Sequence, residues 1–280
     1  MELLQIKRTE FNLGLKKEYR FFQISDMHIS YCDSISSDED VKEHSRCEVR
    51  WQEQKKEFAS DNNEFCDDRY NIESTVIFER LLDHAKKFKP DAIILSGDIM
   101  DRITDSNVRY LEGLFSKINI PIIYCLGNHD YMDIDHGYTN PYEILKPFTE
   151  HPEFNIIDYD EFAILAVDNN KQISDSQLAL LKEQIEGDKK LLLVEHKPLL
   201  LGEFGEKHLD RIGAYFFLGT ERDNEKTMEY VNLIKENSHR FIAVLCGHIH
   251  FASEYKITED LMQISTSSGL IGAGREIIIK

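Results

Sequence analysis

Five short apolar runs each end in a compact block of Asp, His or Asn, and this pairing constrains the fold more than any other feature. The central run is Ala92-Ile93-Ile94-Leu95, followed by Ser96-Gly97-Asp98-Ile99-Met100-Asp101-Arg102. The run reads as a buried strand, the small pair Ser96-Gly97 turns the backbone, and Asp98 follows on the exposed strand end. The other blocks are Asp26-Met27-His28, Gly127-Asn128-His129-Asp130, His196 within Glu195-His196-Lys197-Pro198, and Gly247-His248-Ile249-His250. Ligands and catalytic groups of α/β folds gather at the carboxyl ends of strands, so these five ends point to one shared site.

The segments between the runs set the fold class. A strand is expected within 3–13, and Phe21-Phe22-Gln23-Ile24-Ser25 is a second, delivering Asp26 and His28 to one side of an extended segment. Ser74 reads as the cap of a helix to Phe88, with Ile77, Leu81, Leu82, Ala85 and Phe88 on one face and Pro90 beyond it. A helix near 106–117 leads to the strand ending at Leu126, and a short helix is expected at 141–148 after a turn-rich stretch. Strands follow near 154–158 and 161–167, then a helix from Ser174-Asp175 to Glu186 closed by Gly187. The strand Leu191–Val194 delivers His196, residues 201–222 read as a long loop, and a helix at 224–237 precedes the strand 241–245. Three strands close the chain, at 252–258, 261–266 and 274–279. Strands alternating with helices argue for an α/β fold with parallel pairing.

One stretch departs from this rhythm. From Asp33 to Glu73 there are 13 Asp/Glu against 6 Lys/Arg and few aliphatics. It holds the single Trp, Trp51, together with Phe58, Phe65 and Tyr70, and one helix is expected at 38–58. It reads either as a solvated surface insertion or as a lid over the site. The domain organisation expected is thus one domain over 1–280 with an acidic insertion at about 33–73.

Charge narrows the partners. The net charge is -18 and there is no Lys/Arg run, which disfavours long duplex nucleic acid. No apolar run approaches the ~20 residues of a membrane span, and the first residues lack a signal-peptide core, so the cytoplasm is expected. The five Cys form no CxxC; Cys125 and Cys246 fall in apolar runs, and Cys32, Cys47 and Cys66 read as free thiols. The sequence assigns no oligomeric state.

A donor set of carboxylate, imidazole and amide oxygen suits Mn, Fe or Zn better than Mg or Ca. Two such ions 3.5–4 Å apart need a bridging carboxylate, which Asp98 can supply. Any one His beside a strand is more often an ordinary polar residue than a ligand, and His44, His84, His136, His151, His208 and His239 are left as such.

The ordered set DxH, GDxxDR, GNHD, H and GHxH resembles the calcineurin-like metallophosphoesterase superfamily, and runs from residue 26 to 250. The resemblance implies a four-layer α-β-β-α sandwich, two mixed β-sheets face to face with helices outside and the metal site at the carboxyl ends of strands. It implies that Asp26, His28 and His250 bind one ion, that Asn128, His196 and His248 bind the other, and that Asp98 bridges. His129 would protonate the leaving oxygen, Asp101 would be its carboxylate partner, and Arg102 would grip phosphate. The implied activity is metal-dependent hydrolysis of phosphomonoesters or phosphodiesters, by attack of a metal-bridging hydroxide on a small or nucleotide-like substrate. The implied cofactors are two divalent or trivalent transition ions, Mn foremost, with Fe or Zn as alternatives. A metal-dependent nuclease is the second reading. A non-catalytic scaffold is the third, and the completeness of the residue set speaks against it.

Overall fold

In chain order the computed structural model contains β1 (Gln5–Phe11), β2 (Tyr19–Ile24), α1 (Asp38–Asn62), α2 (Ser74–Phe88), β3 (Ala92–Ser96), α3 (Asp105–Phe115) and β4 (Ile122–Cys125). Then come the two-residue strands β5 (Met132–Asp133) and β6 (Gly137–Tyr138), α4 (Pro141–Leu145), β7 (Phe154–Asp158), β8 (Phe162–Val167), α5 (Asp175–Glu186) and β9 (Lys190–Val194). The chain closes with α6 (Gly202–Ile212), α7 (Glu225–Glu236), β10 (Phe241–Cys246), β11 (Ser253–Lys256), β12 (Met262–Ser265) and β13 (Ala273–Ile279). The structure describes residues 4–62, 72–133, 137–138 and 141–280. Phe65, Cys66, Tyr70 and His136 lie outside them, and the side chain of Phe58 is likewise not described.

Two mixed sheets form the frame. One runs β1-β13-β2-β3-β4 and the other β11-β12-β10-β9-β8-β7. Parallel pairing joins β2 to β3 and β3 to β4 in the first sheet, and β8 to β9 and β9 to β10 in the second. The central strands are buried on both faces, which is why they read as unbroken apolar runs. Phe21, Ile94 and Ile123 of one sheet meet Ile164, Leu192 and Leu245 of the other in the core between the sheets. On the outer face of the first sheet, Phe22, Ile93 and Leu95 pack with Ile77, Phe78 and Leu81 of α2. On the outer face of the second, Leu165, Leu191 and Val244 pack with Leu181 of α5, Phe204 of α6 and Tyr230 of α7. The layers are therefore helix, sheet, sheet, helix, as the motif set implied. Among the described residues, no helix is long and apolar enough to cross a membrane.

Two local expectations change. Ser74 is the first residue of α2 rather than its cap; Glu73 precedes it without a side-chain hydrogen bond, and the buried Ser74 is instead part of the helix's packed face. Gly187 closes α5 as expected, in an extended conformation, and the start of α5 is a full capping box between Ser174 and Gln177. Residues 201–222 are not a loop: α6 occupies half of them and Ala214–Phe216 form a 3-10 turn. Gly202 and Gly205 suggested a loop, but Phe204 and His208, one turn apart, bury the face of α6 that lies on β11. Tertiary packing overrides the weak helix propensity of glycine there.

Candidate metal centre

The five blocks converge where the carboxyl ends of β2, β3 and β4 face those of β9 and β10. The backbone achieves this by strain. Asp26, His28, Asp98, His248 and His250 have φ of 52°, 44°, 53°, 68° and 61°. Left-handed backbone at non-glycine residues costs roughly 1–3 kcal/mol each and persists only where the surroundings impose it. Here they do. The N–H of Asp26 donates to Gly97 O, that of His28 to Asp98 O, and that of His248 to the Asp26 carboxylate. Asp26 and His28 therefore reach one cluster through left-handed turns beyond the end of β2, not as neighbours on an extended strand.

Two positions tolerate only glycine for reasons of space. A Cβ on Gly127 would lie 2.1 Å from both the backbone nitrogen and Oδ1 of Asp98, and one on Gly247 would lie 1.8 Å from Ser25 Oγ.

Among the described residues three overlapping groups could hold an ion: Asp26, His28 and His250; Asp98, His196 and His248; and His28, Asp98 and His129. In the first, His250 Nε2 lies 3.2 Å from Asp26 Oδ1 and 3.1 Å from His28 Nε2. In the second, His196 Nε2 lies 3.2 Å from Asp98 Oδ2, 3.2 Å from Asn128 Oδ1 and 3.2 Å from His248 Nδ1. Asp98 Oδ2 is also 3.8 Å from His28 Nε2, so its carboxylate stands between the clusters.

This arrangement fits cations. His196 Nδ1 faces the Ser96 carbonyl at 2.9 Å, which fixes the tautomer with the proton on Nδ1. Asn128 Oδ1, Asp98 Oδ2 and His248 Nδ1 converge on its Nε2, and Asp98 pushes this imidazole up to about 9 against burial, so the position favours a positive charge, which either a proton or a metal ion can supply. Burial pushes His28 down to about 4, reinforced by His129, and pushes His248 well down, reinforced by His196. Both rings are thus neutral, the form that binds metal. Burial opposes charge on Asp98, yet His196 and His129 outweigh it and hold the carboxyl well below the usual range.

His129 is placed differently. Its N–H donates to Asp98 Oδ1 at 2.7 Å, and its ring Nδ1 lies 3.0 Å from the Asp101 carbonyl and 3.2 Å from Asp101 Oδ1. Burial disfavours its charged form, but Asp98 and Asp101 prevail and push the imidazole up to about 9. With Nδ1 engaged, Nε2 is the ring's second proton site.

Several residues of the centre were not singled out in the sequence. The carboxylate of Asp130 accepts from the backbone of Asp98, Met100 and Gly127 and from Tyr124 Oη, tying two ligand-bearing loops together. A face of α1 covers the Asp101 side. Trp51 stacks on His28 with ring centroids 3.9 Å apart, and its Nε1 donates to Asp101 Oδ1 at 2.9 Å. Arg50 Nη2 reaches the same oxygen at 2.6 Å, and Cys47 Sγ reaches Oδ2 at 2.7 Å. Arg102, expected at the phosphate, has its Nε on Glu43 Oε1 of α1 at 2.9 Å. Glu43, Cys47, Arg50 and Trp51 follow the spacing i, i+4, i+7, i+8 of one helix face. That was the available signal, masked because half of the stripe is charged. Cys47, read as an ordinary free thiol, is buried here.

Beneath His196, Glu195 is fully buried and accepts from Tyr230 Oη at 2.7 Å. Burial pushes its carboxyl up to about 8 from an ordinary 4.5. A raised folded-state value contributes stability that is full below the unfolded value and is lost as pH rises through about 8. Thermal melts should therefore show Glu195→Gln gaining on the unsubstituted protein between pH 5 and pH 8, at ~2–4 °C per kcal/mol for a chain of this size. Parallel pH profiles would exclude the neutral carboxyl.

Comparison with known proteins identifies the family. The model of the calcineurin-like phosphoesterase family matches residues 19–252. A probable glycerophosphodiester phosphodiesterase, GpdQ, of Arcobacter nitrofigilis is 26% identical over 176 residues. That match covers 60% of this chain and 59% of the relative, so the chain spans little more than half of that protein's length. Among solved structures, a dimetal phosphatase from Danio rerio superposes with a TM-score of 0.56 at 11% identity, covering 92% of this chain and 91% of the other. A putative 5'-nucleotidase from Staphylococcus aureus gives 0.50 at 10% identity, covering 90% of this chain and 49% of the other. At these identities the structural likeness speaks for the fold alone. The family match extends over most of the chain and includes every strand end that bears a candidate ligand, and on that ground the chain belongs to the calcineurin-like phosphoesterases.

Proposed function

We propose that this enzyme hydrolyses a small phosphoester, with Asp26, His28 and His250 holding one ion, Asn128, His196 and His248 the other, and Asp98 both. The observation that carries the reading is the position of Asp98, whose Oδ2 lies 3.2 Å from His196 Nε2 and 3.8 Å from His28 Nε2, between the two clusters. Two bound ions would supply positive charge against the phosphoryl oxygens and an activated water. His129, held on its Nδ1 side by Asp101, gives a proton from Nε2 to the leaving oxygen. Arg102, with its Nε on Glu43 Oε1, grips phosphate through its remaining N–H groups.

A groove beside Lys197, the residue after His196, supports a substrate class. It has a volume of about 160 Å³ and is lined also by Lys171, Arg222, Asn170, Asp223 and the exposed Tyr215. Three cations against one carboxylate around one groove stand out on a chain of net charge -18. They suit a leaving portion that carries further negative or polar groups, as a nucleotide does. The relative named for glycerophosphodiesters is consistent with a small diester.

The test is a metal-reconstituted screen over aryl phosphates, small diesters, mononucleotides and single-stranded nucleic acid. Small esters should be cleaved with Mn²⁺, and Arg222→Ala should raise KM for a nucleotide-like ester by about 10-fold while leaving a plain aryl phosphate unaffected, the scale of one charge-assisted contact. Full activity after chelation and metal stripping would overturn the metal assignment; a preference for polymers would overturn the substrate class.

A further inference from the structure

The acidic insertion was expected to be either surface decoration or a lid over the rim. Its described part, α1, packs on the centre itself. Helix α1 places Trp51, Arg50 and Cys47 on a single carboxylate, Asp101, inside the centre. Trp51 and Cys47 pack with Leu270 in a small buried cluster, which fixes the helix against the turn Gly269–Ile271. That turn is itself bound to the metal loop: Gly269 N donates to Ser25 O, and Ser268 Oγ to Asp26 O.

We propose that α1 is a built part of the reaction centre, in which Trp51 and Arg50 are positioning residues that hold Asp101 against His129 and set the ring plane of His28. The inference rests on the general-acid and metal-ligand roles given above and adds residues outside the family's motif blocks.

The physical argument is one of geometry. Asp101 lies within 3.2 Å of His129 Nδ1 and 3.5 Å of His28 Nδ1, so a small rotation of its carboxylate would move both partners. Asp101 Oδ1 accepts from Trp51 Nε1 and Arg50 Nη2, and Oδ2 from Cys47 Sγ. Both oxygens are thereby engaged by donors of α1. A buried carboxylate with charged and N–H donors on one side keeps one orientation, since losing such a bond costs about 1.5–3 kcal/mol. The indole of Trp51 lies against His28 at 3.9 Å and 29°, so the ring that offers Nε2 to the cluster rests on a rigid apolar surface.

The chain has a single Trp, which makes Trp51 its own reporter. In a titration of the metal-free full chain, paramagnetic Mn²⁺ should quench the tryptophan emission in step with occupancy, and diamagnetic Zn²⁺ should fill the site without that quenching. Binding of Mn²⁺ with unchanged emission overturns the proposal alone; failure to bind any ion overturns the metal reading and the proposal with it. The kinetic arm uses Trp51→Phe, which keeps a stacked ring and removes Nε1–H, and Arg50→Gln at a half-exposed site that tolerates substitution. Both should keep two ions and an unchanged KM. Both should lower kcat by about 10-fold on an alkyl ester, and much less on a 4-nitrophenyl ester whose leaving group needs no proton. Equal losses on the two esters, loss of the ions, or no loss at all would show the helix to be merely structural. The same two esters tested on His129→Ala separate the failures. If that variant shows the leaving-group dependence and the α1 variants do not, only the proposal falls.

Discussion

Asp98→Asn should empty both metal positions and lower activity by at least about 10³-fold, the scale seen when groups that act as a unit lose one member. The reason lies in what the one carboxylate does. Its Oδ2 faces His196 of one cluster and His28 of the other, and its Oδ1 accepts the backbone N–H of His129. Asparagine can keep the His129 bond through its amide oxygen, so the loop should hold its shape. It cannot supply negative charge between two cations, and its NH₂ would face His196 Nε2. Elemental analysis of the variant, with circular dichroism to confirm the fold, checks this. Two retained ions would refute the bridging role. Loss of one ion with the other retained would place Asp98 in a single cluster.

The second large effect belongs to His129→Ala. Here both ions should remain while the rate falls by roughly 10²–10⁴-fold on an ester with a poor leaving group. The separation follows from the contacts, since His129 Nδ1 is directed at Asp101 and not at the Asp26 or His196 clusters. Removing its ring leaves those ligands and the His129 backbone bond to Asp98 in place. The loss should shrink with an acidic leaving group. The pH profile adds a sign. A general acid works while protonated, and Asp98 and Asp101 raise His129 to about 9 against the opposing effect of burial. Neighbouring cations oppose a further positive charge, so the alkaline limb of the wild-type profile should fall at or below about pH 9. The variant should lack that limb. If His129→Ala instead loses an ion, His129 is a ligand, as its proximity to His28 and Asp98 also allows.

The apolar runs and the blocks behind them were legible because each is local. A strand buried on both faces must be continuously apolar, and a polar residue directly after it must sit at the strand's end. That logic located β2, β3, β4, β9 and β10 and placed Asp26, Asp98, Asn128, His196 and His248 near one another before any coordinates. The helix α5 was equally legible, since its capping box is written in Ser174 and Gln177.

Elements whose shape depends on distant partners were not. The helix α6 begins at a glycine and looks like a loop until β11 is placed beneath it. The left-handed backbone at Asp26, His28 and Asp98 cannot be read from residue type alone, although Asp and His enter it more readily than most; hydrogen bonds from neighbouring loops impose it. The partner of Arg102 is a further case: nothing in its motif points to Glu43 of α1, which the fold presents to its Nε at 2.9 Å.

By itself, then, the sequence determined the donor set, the strand ends that carry it and the layered fold they require, because hydrophobic period and residue chemistry are local properties. Only the tertiary structure decided that Trp51, Arg50 and Cys47, some fifty residues before Asp101, close around its carboxylate. A helix stripe that is half charged shows no hydrophobic signal of burial. Glu43, Cys47 and Trp51 are buried because the centre and Leu270 lie against them, and Asp101 accepts from Cys47, Arg50 and Trp51.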